Sequence, residues 1–120
     1  MYYSYNNETR HKYPDPNNKQ THNHEFLGST RLAEEGNDRH DHRFTGVSSE
    51  IIPYNGSHVH MIATRTDFFG HYHEIRVTTG PAIPVGNGKH VHLATGATTL
   101  DDEHVHQFIF ATLIEAPALP

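Results

Sequence analysis

The sequence contains no cysteine, no tryptophan and no long apolar run. Without cysteine the chain cannot form disulfides, thiolate zinc sites, iron–sulfur clusters or cysteine nucleophiles. No segment approaches the ~18 apolar residues that a membrane span requires, and the start lacks the basic and apolar regions of a signal peptide. These absences predict a protein with no membrane partner, and they leave open whether it is cytoplasmic or part of an assembly at the cell surface.

Apolar residues in general are scarce. Only 34% of the 120 residues are hydrophobic and 10% are aromatic. One domain of this length with so thin a core needs another source of stability, and metals or self-association are the usual ones. The net charge of −5 and the pI near 6.2 predict no nucleic-acid partner.

Histidine is the abundant residue. The chain has thirteen, and all but His11 occur in pairs of the form His-x-His. The pairs are His22/His24, His40/His42, His58/His60, His71/His73, His90/His92 and His104/His106. Such regular recurrence indicates a repeat architecture.

The repeated motif extends beyond the two histidines. Two residues after the second histidine stand Phe26, Phe44, Ile62, Ile75, Ala94 and Phe108. Eight residues after the first histidine stand Thr30, Ser48, Thr66, Thr79, Thr98 and Thr112, and three copies have glycine between these positions, at Gly28, Gly46 and Gly96. All shared positions are separated by multiples of two, which is the period of a β-strand. We therefore predict strands whose histidine face points inward.

The spacing of the pairs predicts an all-β fold of three tandem two-stranded units, over residues 21–49, 50–79 and 80–112. Asn55-Gly56 and Asn87-Gly88 favour tight turns before two of the strands. Three copies of one unit suit a pseudo-threefold arrangement. Residues 1–20 are predicted to form a polar N-terminal arm, residues 21–112 the six-strand repeat domain, and residues 113–120 a C-terminal tail.

Paired imidazoles on one strand face suit transition-metal binding, because histidines at i and i+2 point the same way and neutral imidazole is a good ligand. Twelve paired histidines can form two octahedral or three tetrahedral sites. In the octahedral case, the first-strand pairs form one site (His22, His24, His58, His60, His90 and His92). The second-strand pairs form the other (His40, His42, His71, His73, His104 and His106). A homotrimer with each pair on its axis gives the same number of ions per chain, and spacing alone does not choose.

Several other interpretations stay open. A cupin-like enzyme needs His-x-His, then a glutamate and a later histidine, and Glu50 and His58 follow His42 in that order. The histidines can also form a metal-free ladder or an exposed, metal-scavenging surface. No nucleophile elbow or phosphate loop is present. Six imidazoles around one ion leave no open position, so we predict a structural or metal-storing protein and not an enzyme.

The stretch from Thr21 to Ile114 resembles the bacterial YmaF family. The segments that carry this resemblance are His22-Asn23-His24-Glu25-Phe26, Thr66-Asp67-Phe68-Phe69, the run from Thr79 to His92, and Phe108-Ile109-Phe110-Ala111-Thr112. The repeat also resembles those in the needle tips of bacteriophage long tail fibres, where three chains intertwine and His-x-His triplets hold iron octahedrally. That resemblance implies iron at the twelve paired histidines, although imidazole also suits zinc, nickel and copper.

The polar first twenty residues predict self-association. Tyr2, Tyr3, Tyr5 and Tyr13 give this arm aromatic groups that can dock on a neighbouring subunit. A polar segment of this kind becomes ordered only when something holds it. We therefore expect a homo-oligomer or filament built through the arm.

Overall fold

A computed structural model describes residues 21–117, and apart from one short 3₁₀ helix (Gly36–Asp38) every helix or strand in this range is a β-strand. The strands are β1 (Asn23–Ser29), β2 (Arg43–Val47), β3 (Ile52–Tyr54), β4 (Ser57–Val59), β5 (Met61–Arg65), β6 (Glu74–Thr78), β7 (Ile83–Gly86), β8 (Lys89–Val91), β9 (Leu93–Ala97), β10 (Gln107–Ala111) and β11 (Glu115–Ala116). The all-β prediction is confirmed. Across residues 21–117 no helix has the length and hydropathy that crossing a membrane requires. The predicted arm, residues 1–20, lies outside the described residues.

Three antiparallel hairpins form the frame of the molecule: β1–β2, β5–β6 and β9–β10. Each corresponds to one of the predicted units. Backbone hydrogen bonds at equivalent positions join each hairpin to the next around a pseudo-threefold axis. Near one end of the axis the bonds run from Ser49 N–H to the Met61 carbonyl (2.9 Å), from Gly80 N–H to the Leu93 carbonyl (2.8 Å), and from Leu113 N–H to the Glu25 carbonyl (2.9 Å).

Within the second and third units, a short hairpin precedes the main one: β3–β4 comes before β5–β6, and β7–β8 comes before β9–β10. In the turns of β3–β4 and β7–β8, Asn55, Gly56, Asn87 and Gly88 all have positive φ, as a type I′ turn requires. These are the two tight turns that the sequence predicts. Strands β4 and β5 are continuous except at His60, and β8 and β9 except at His92.

The last strand closes the ring. No short hairpin precedes β1 among the described residues, and β11, from the predicted tail, pairs with it instead. Ala116 lies opposite Asn23 in the way that Ile52 lies opposite Val59 and Ile83 opposite Val91. In the first unit, β11 is therefore the short pairing strand whose place β3 and β7 take in the other two units.

The apolar core lies between the three hairpins. It consists of Phe26, Phe44, Ile62, Ile75, Ala94, Phe108 and Phe110. Motif glycines make room for rings on the paired strand: a Cβ added at Gly46 would lie 2.7 Å from Cζ of Phe26, and one at Gly28 would lie 2.8 Å from Cζ of Phe44. The glycine position is thus the partner of the apolar position across each hairpin.

The third hairpin places one aromatic ring differently. Ala94 occupies the motif's apolar position, and Phe110 occupies the position that is glycine in other copies. The two residues lie opposite each other in the β9–β10 register. At this pair of positions the aromatic side chain comes from β10 instead of β9, so this layer of the core still contains a ring.

The antiparallel register places the histidine pairs of each hairpin at opposite ends. Ser48 N–H bonds the carbonyl of His24, and Thr30 N–H bonds the carbonyl of His42, each at 2.8 Å. Six residues of strand separate His24 from Thr30, a distance of about 20 Å. Two layers of histidine therefore enclose the apolar core between them.

Candidate metal centres

The twelve paired histidines meet in two groups of six within one chain. In each group, one ring nitrogen from every histidine lies within 4.8 Å of all the others. We call the first group the first-strand cluster: His22, His24, His58, His60, His90 and His92. The second-strand cluster comprises His40, His42, His71, His73, His104 and His106. This is the grouping expected for two six-ligand sites with the threefold axis inside the chain.

Each cluster has the arrangement of an octahedron. The first histidines of the three pairs, the outer imidazoles, form one triangular face, and the second histidines, the inner imidazoles, form the opposite face. Neighbouring ring centroids in the first-strand cluster are 4.5–5.1 Å apart. The pairs left opposite each other are His22 and His92, His24 and His58, and His60 and His90.

The second-strand cluster repeats this geometry. Its neighbouring centroids are 4.7–5.1 Å apart. The pairs that face each other across the cluster are His40 and His73, His42 and His104, and His71 and His106. Both ends of the molecule therefore present the same constellation of six rings.

Twelve pairs of neighbouring Nε2 atoms, five in the first-strand cluster and seven in the second-strand cluster, lie 3.1–3.3 Å apart. In a regular octahedron the centre lies one edge divided by √2 from each corner, which is about 2.2 Å here. Zinc–imidazole bonds are about 2.0–2.1 Å long. An ion at the centre of each cluster would therefore be close to bonding distance from the surrounding nitrogens, which all lie within 4.8 Å of one another.

Backbone carbonyls fix the orientation of the inner imidazoles. The Nδ1 atoms lie 2.8–3.1 Å from carbonyl oxygens, in the pairs His24–Leu113, His60–Ser49, His92–Gly80, His42–Asp67, His73–Thr99 and His106–Arg31. A carbonyl oxygen only accepts hydrogen bonds, so each of these Nδ1 atoms donates. The Nε2 lone pair is then free and directed at the cluster centre, as second-shell bonds do for metal-binding histidines.

The motif serines and threonines support the same residues. Each hydroxyl accepts a hydrogen bond from the backbone N–H of the inner histidine on the paired strand, at 2.9–3.1 Å. The residue after each of them provides the carbonyl that accepts from an inner imidazole. The sequence showed that this position is uniform, but its role depends on pairing across the hairpin, which spacing along one strand does not reveal.

Burial favours the neutral form of eight of the twelve imidazoles. All six inner imidazoles have at most 1% of their surface exposed, and Nε2 of His60 is buried with no hydrogen-bond partner among the described residues. The pKa is lowered from 6.5 to about 4 at His22, His24, His60 and His106. The pKa values of His58, His71, His73 and His92 are also lowered. Burial is the main cause, and repulsion between neighbouring imidazoles acts in the same direction. Neutral imidazole is the form that binds metal.

Carboxylates surround the two clusters unequally. Near Nδ1 atoms of the second-strand cluster, at 3.4–3.8 Å, lie carboxylate oxygens of Asp67, Asp101, Asp102 and Glu34. In the first-strand cluster, Glu115 lies 3.3 Å from Nδ1 of His90. Nearby carboxylates increase the basicity of imidazole ligands and offset the charge of an ion. Each cluster can hold one metal ion, with more negative charge around the second-strand cluster.

The cupin-like combination is not assembled. His42 belongs to the second-strand cluster and His58 to the first-strand cluster, at opposite ends of the hairpins. The carboxylate of Glu50 accepts hydrogen bonds from the N–H (2.6 Å) and hydroxyl (2.5 Å) of Thr21. These residues do not meet at one site.

Comparison with known proteins gives one result. No curated protein and no solved structure matches the chain. One family model, described as spore germination protein GerY/YamF, matches residues 19–114. The match includes all twelve histidines of the two clusters and every strand from β1 to β10. This chain therefore belongs to the YmaF family.

Proposed function

We propose that the protein is a non-catalytic structural protein that binds one transition-metal ion in each histidine cluster. The observation that carries the proposal is the convergence of six ring nitrogens, all within 4.8 Å of one another, in an octahedral arrangement whose inner rings are held by their Nδ1 bonds. A catalytic metal keeps a position open for water or substrate. Six imidazole ligands fill the coordination sphere, which supports a structural role.

The same geometry is unfavourable without a cation. Lone pairs of buried nitrogens would face each other at van der Waals distance, and a buried polar atom without a partner costs about 1–3 kcal/mol. An ion at the centre turns this repulsion into bonding and ties the three hairpins together at both ends. Metal binding then contributes directly to folding stability and supplements the small apolar core.

We propose iron as the bound ion. Six nitrogen donors suit a metal that accepts octahedral coordination, whereas structural zinc sites are almost always four-coordinate. Imidazole is a good ligand for iron, and the resemblance to the iron-binding phage repeats agrees with this assignment. Nickel and copper remain alternatives that elemental analysis distinguishes.

The family description, spore germination protein, suggests the setting of this function. We propose that this chain acts in spore germination as a rigid, metal-bound body that assembles with further copies of itself. Large apolar side chains at the surface, among them Phe68, Phe69 and Leu100, support an assembly role.

The test is metal content per chain, measured by elemental mass spectrometry on freshly purified, untagged protein. We expect two ions per chain in the wild type. His58→Ala with His60→Ala should remove one ion, His71→Ala with His73→Ala should remove the other, and His11→Ala should keep both. A folded wild-type protein without metal, or with a single ion, would overturn the proposal.

A further inference from the structure

One end of the molecule carries a group of exposed apolar side chains at equivalent positions. Leu32, Phe68 and Leu100 each follow a motif threonine by two residues, and 53%, 73% and 70% of their surfaces are exposed. Phe69 is also exposed, and its ring centroid lies 5.8 Å from that of His40. We call Leu32, Phe68, Phe69 and Leu100 the apolar crown.

The crown surrounds the second-strand cluster. Leu32, Phe68 and Leu100 directly follow three residues whose carbonyls accept hydrogen bonds from the inner imidazoles of that cluster. These three residues are Arg31, Asp67 and Thr99. Isolated exposed apolar residues are ordinary, but a group of them at one end of a small molecule indicates a binding surface. The crown is therefore a candidate docking surface whose base is held by the metal site.

The charge around the crown restricts what can bind there. The loops 31–39, 67–70 and 99–103 contain seven acidic residues against two arginines; the acidic ones are Glu34, Glu35, Asp38, Asp67, Asp101, Asp102 and Glu103. Two crowns facing each other would bring like charges together, which is unfavourable. The surface instead suits a segment that is both aromatic and cationic.

The chain itself contains a segment of this chemistry. Residues 1–20 include four tyrosines and three cationic residues (Arg10, Lys12 and Lys19) against two acidic ones (Glu8 and Asp15), so the segment is aromatic with a net charge of +1, and Arg10 and Lys12 lie close together in it. The segment joins the described fold at Thr21, beside the first-strand cluster and at the opposite end from the crown. Since β1 runs from that end toward the crown, the described fold begins at the end opposite the crown.

We infer that residues 1–20 of one copy bind the apolar crown of a second copy, which produces head-to-tail chains. Twenty extended residues span at most roughly 66–72 Å, enough to reach a copy stacked on the same axis. The inference rests on the proposed structural function and identifies the surface through which copies associate. Tyrosine rings pack on the crown, and Arg10 and Lys12 face its acidic loops.

Association of the full, metal-loaded chain is measured by sedimentation velocity across a concentration series. We expect wild type to form species that grow with concentration. Phe68→Ser with Leu100→Ser, or Arg10→Glu with Lys12→Glu, should weaken association at least tenfold. The control is Ile109→Thr, an exposed position on the outer face of β10, which should behave as wild type. Unchanged association of the crown variant, or a wild type that is monomeric at every concentration, overturns the inference.

Metal content measured on the same samples separates this inference from the proposed function. Lost association with two ions still bound supports the crown and leaves the metal sites intact. Mixing the Arg10→Glu, Lys12→Glu variant with a Glu35→Lys, Glu103→Lys variant should restore association, because the charges are exchanged between partners. A monomeric wild type whose first twenty residues are protected from protease by its own crown would show docking within one chain and contradict head-to-tail association.

Discussion

Single glycines in this fold make room for an aromatic ring of the paired strand. At Gly46 an added methyl group would lie 2.7 Å from Cζ of Phe26, which is itself fully enclosed. We expect Gly46→Ala to destabilise the protein by about 1–3 kcal/mol, because the ring has to leave its preferred position in a dense core. Urea unfolding monitored by circular dichroism measures the change.

The matched control is Gly80→Ala. The nearest atom to a Cβ at Gly80 is the Leu93 carbonyl oxygen at 3.7 Å, an ordinary van der Waals contact. We expect a change within about 0.5 kcal/mol of wild type, as for most substitutions that create no clash. Equal losses at Gly46 and Gly80 would show that the Phe26 ring does not determine the need for glycine.

The protonation of individual imidazoles makes stability depend on pH. The folded-state pKa of His24 and His60 is about 4, against 6.5 for a free imidazole. The unfolded chain therefore takes up protons first as the pH falls, and the stabilisation present above pH 6.5 is lost progressively toward pH 4. Bound metal strengthens the trend, since protons compete with it for the same nitrogens.

Melting temperatures between pH 8 and pH 4.5 test this dependence. The decrease should appear below about pH 6.5 and should persist, with smaller amplitude, after the metal has been removed with a chelator. A melting temperature that does not change over this range would contradict both the burial of neutral imidazoles and their binding of metal.

Within each hairpin, the motif threonine or serine at the end of one strand supports the inner histidine of the paired strand. The Thr79 hydroxyl accepts the backbone N–H of His60 at 3.1 Å, and the following carbonyl, at Gly80, accepts from Nδ1 of His92. Thr79→Val leaves that N–H without a partner, at a cost of about 1–3 kcal/mol. Loss of such a supporting bond typically lowers metal affinity about 10–100-fold.

Metal titration of each cluster checks the effect. Thr79→Val should weaken the first-strand cluster alone, and Thr98→Val, whose hydroxyl accepts from the N–H of His106, should weaken the second-strand cluster alone. Thr95→Val, on the exposed face of β9, is the control and should change neither. Equal weakening by Thr79→Val and Thr95→Val would rule out a supporting role for the buried hydroxyl.

The sequence was sufficient to predict the six strands of the histidine motif and their grouping into hairpins, but not β3, β7 and β11 or the contacts between distant residues. Period two identified the inward face, and Asn-Gly identified two turns, because both signals are local. Ala94 and Phe110 depart from the size that the motif has at their positions, and only the register shows that the two residues lie opposite each other and compensate. Likewise, the carbonyl of Leu113 accepts from His24, 89 residues away. No pattern within one strand specifies such partners.

For the whole molecule, the question that the repeat left open was whether the threefold axis lies within one chain or among three. Six strands of one chain surround it. The sequence does contain a sign of the closure: Ala116-Pro117 follows Thr112 at the same spacing as Ile52-Pro53 follows Ser48 and Ile83-Pro84 follows Thr79. Two residues, of which only the proline is the same in all three places, are too short a signal to predict a strand before β11 is seen beside β1.

The pairing of β11 with β1 closes the three units into a ring, so the unit at which the chain starts is arbitrary. A circular permutant should therefore fold, with an Asn-Gly turn joining Ala118 to Thr21, the positions equivalent to Tyr54 and Ser57, and with new termini opened between Asn55 and Gly56. We expect it to bind two ions per chain and to melt within a few degrees of wild type, measured by elemental analysis and calorimetry; an unfolded permutant would show that the original connection is required. Any of the three units can therefore stand first along the chain.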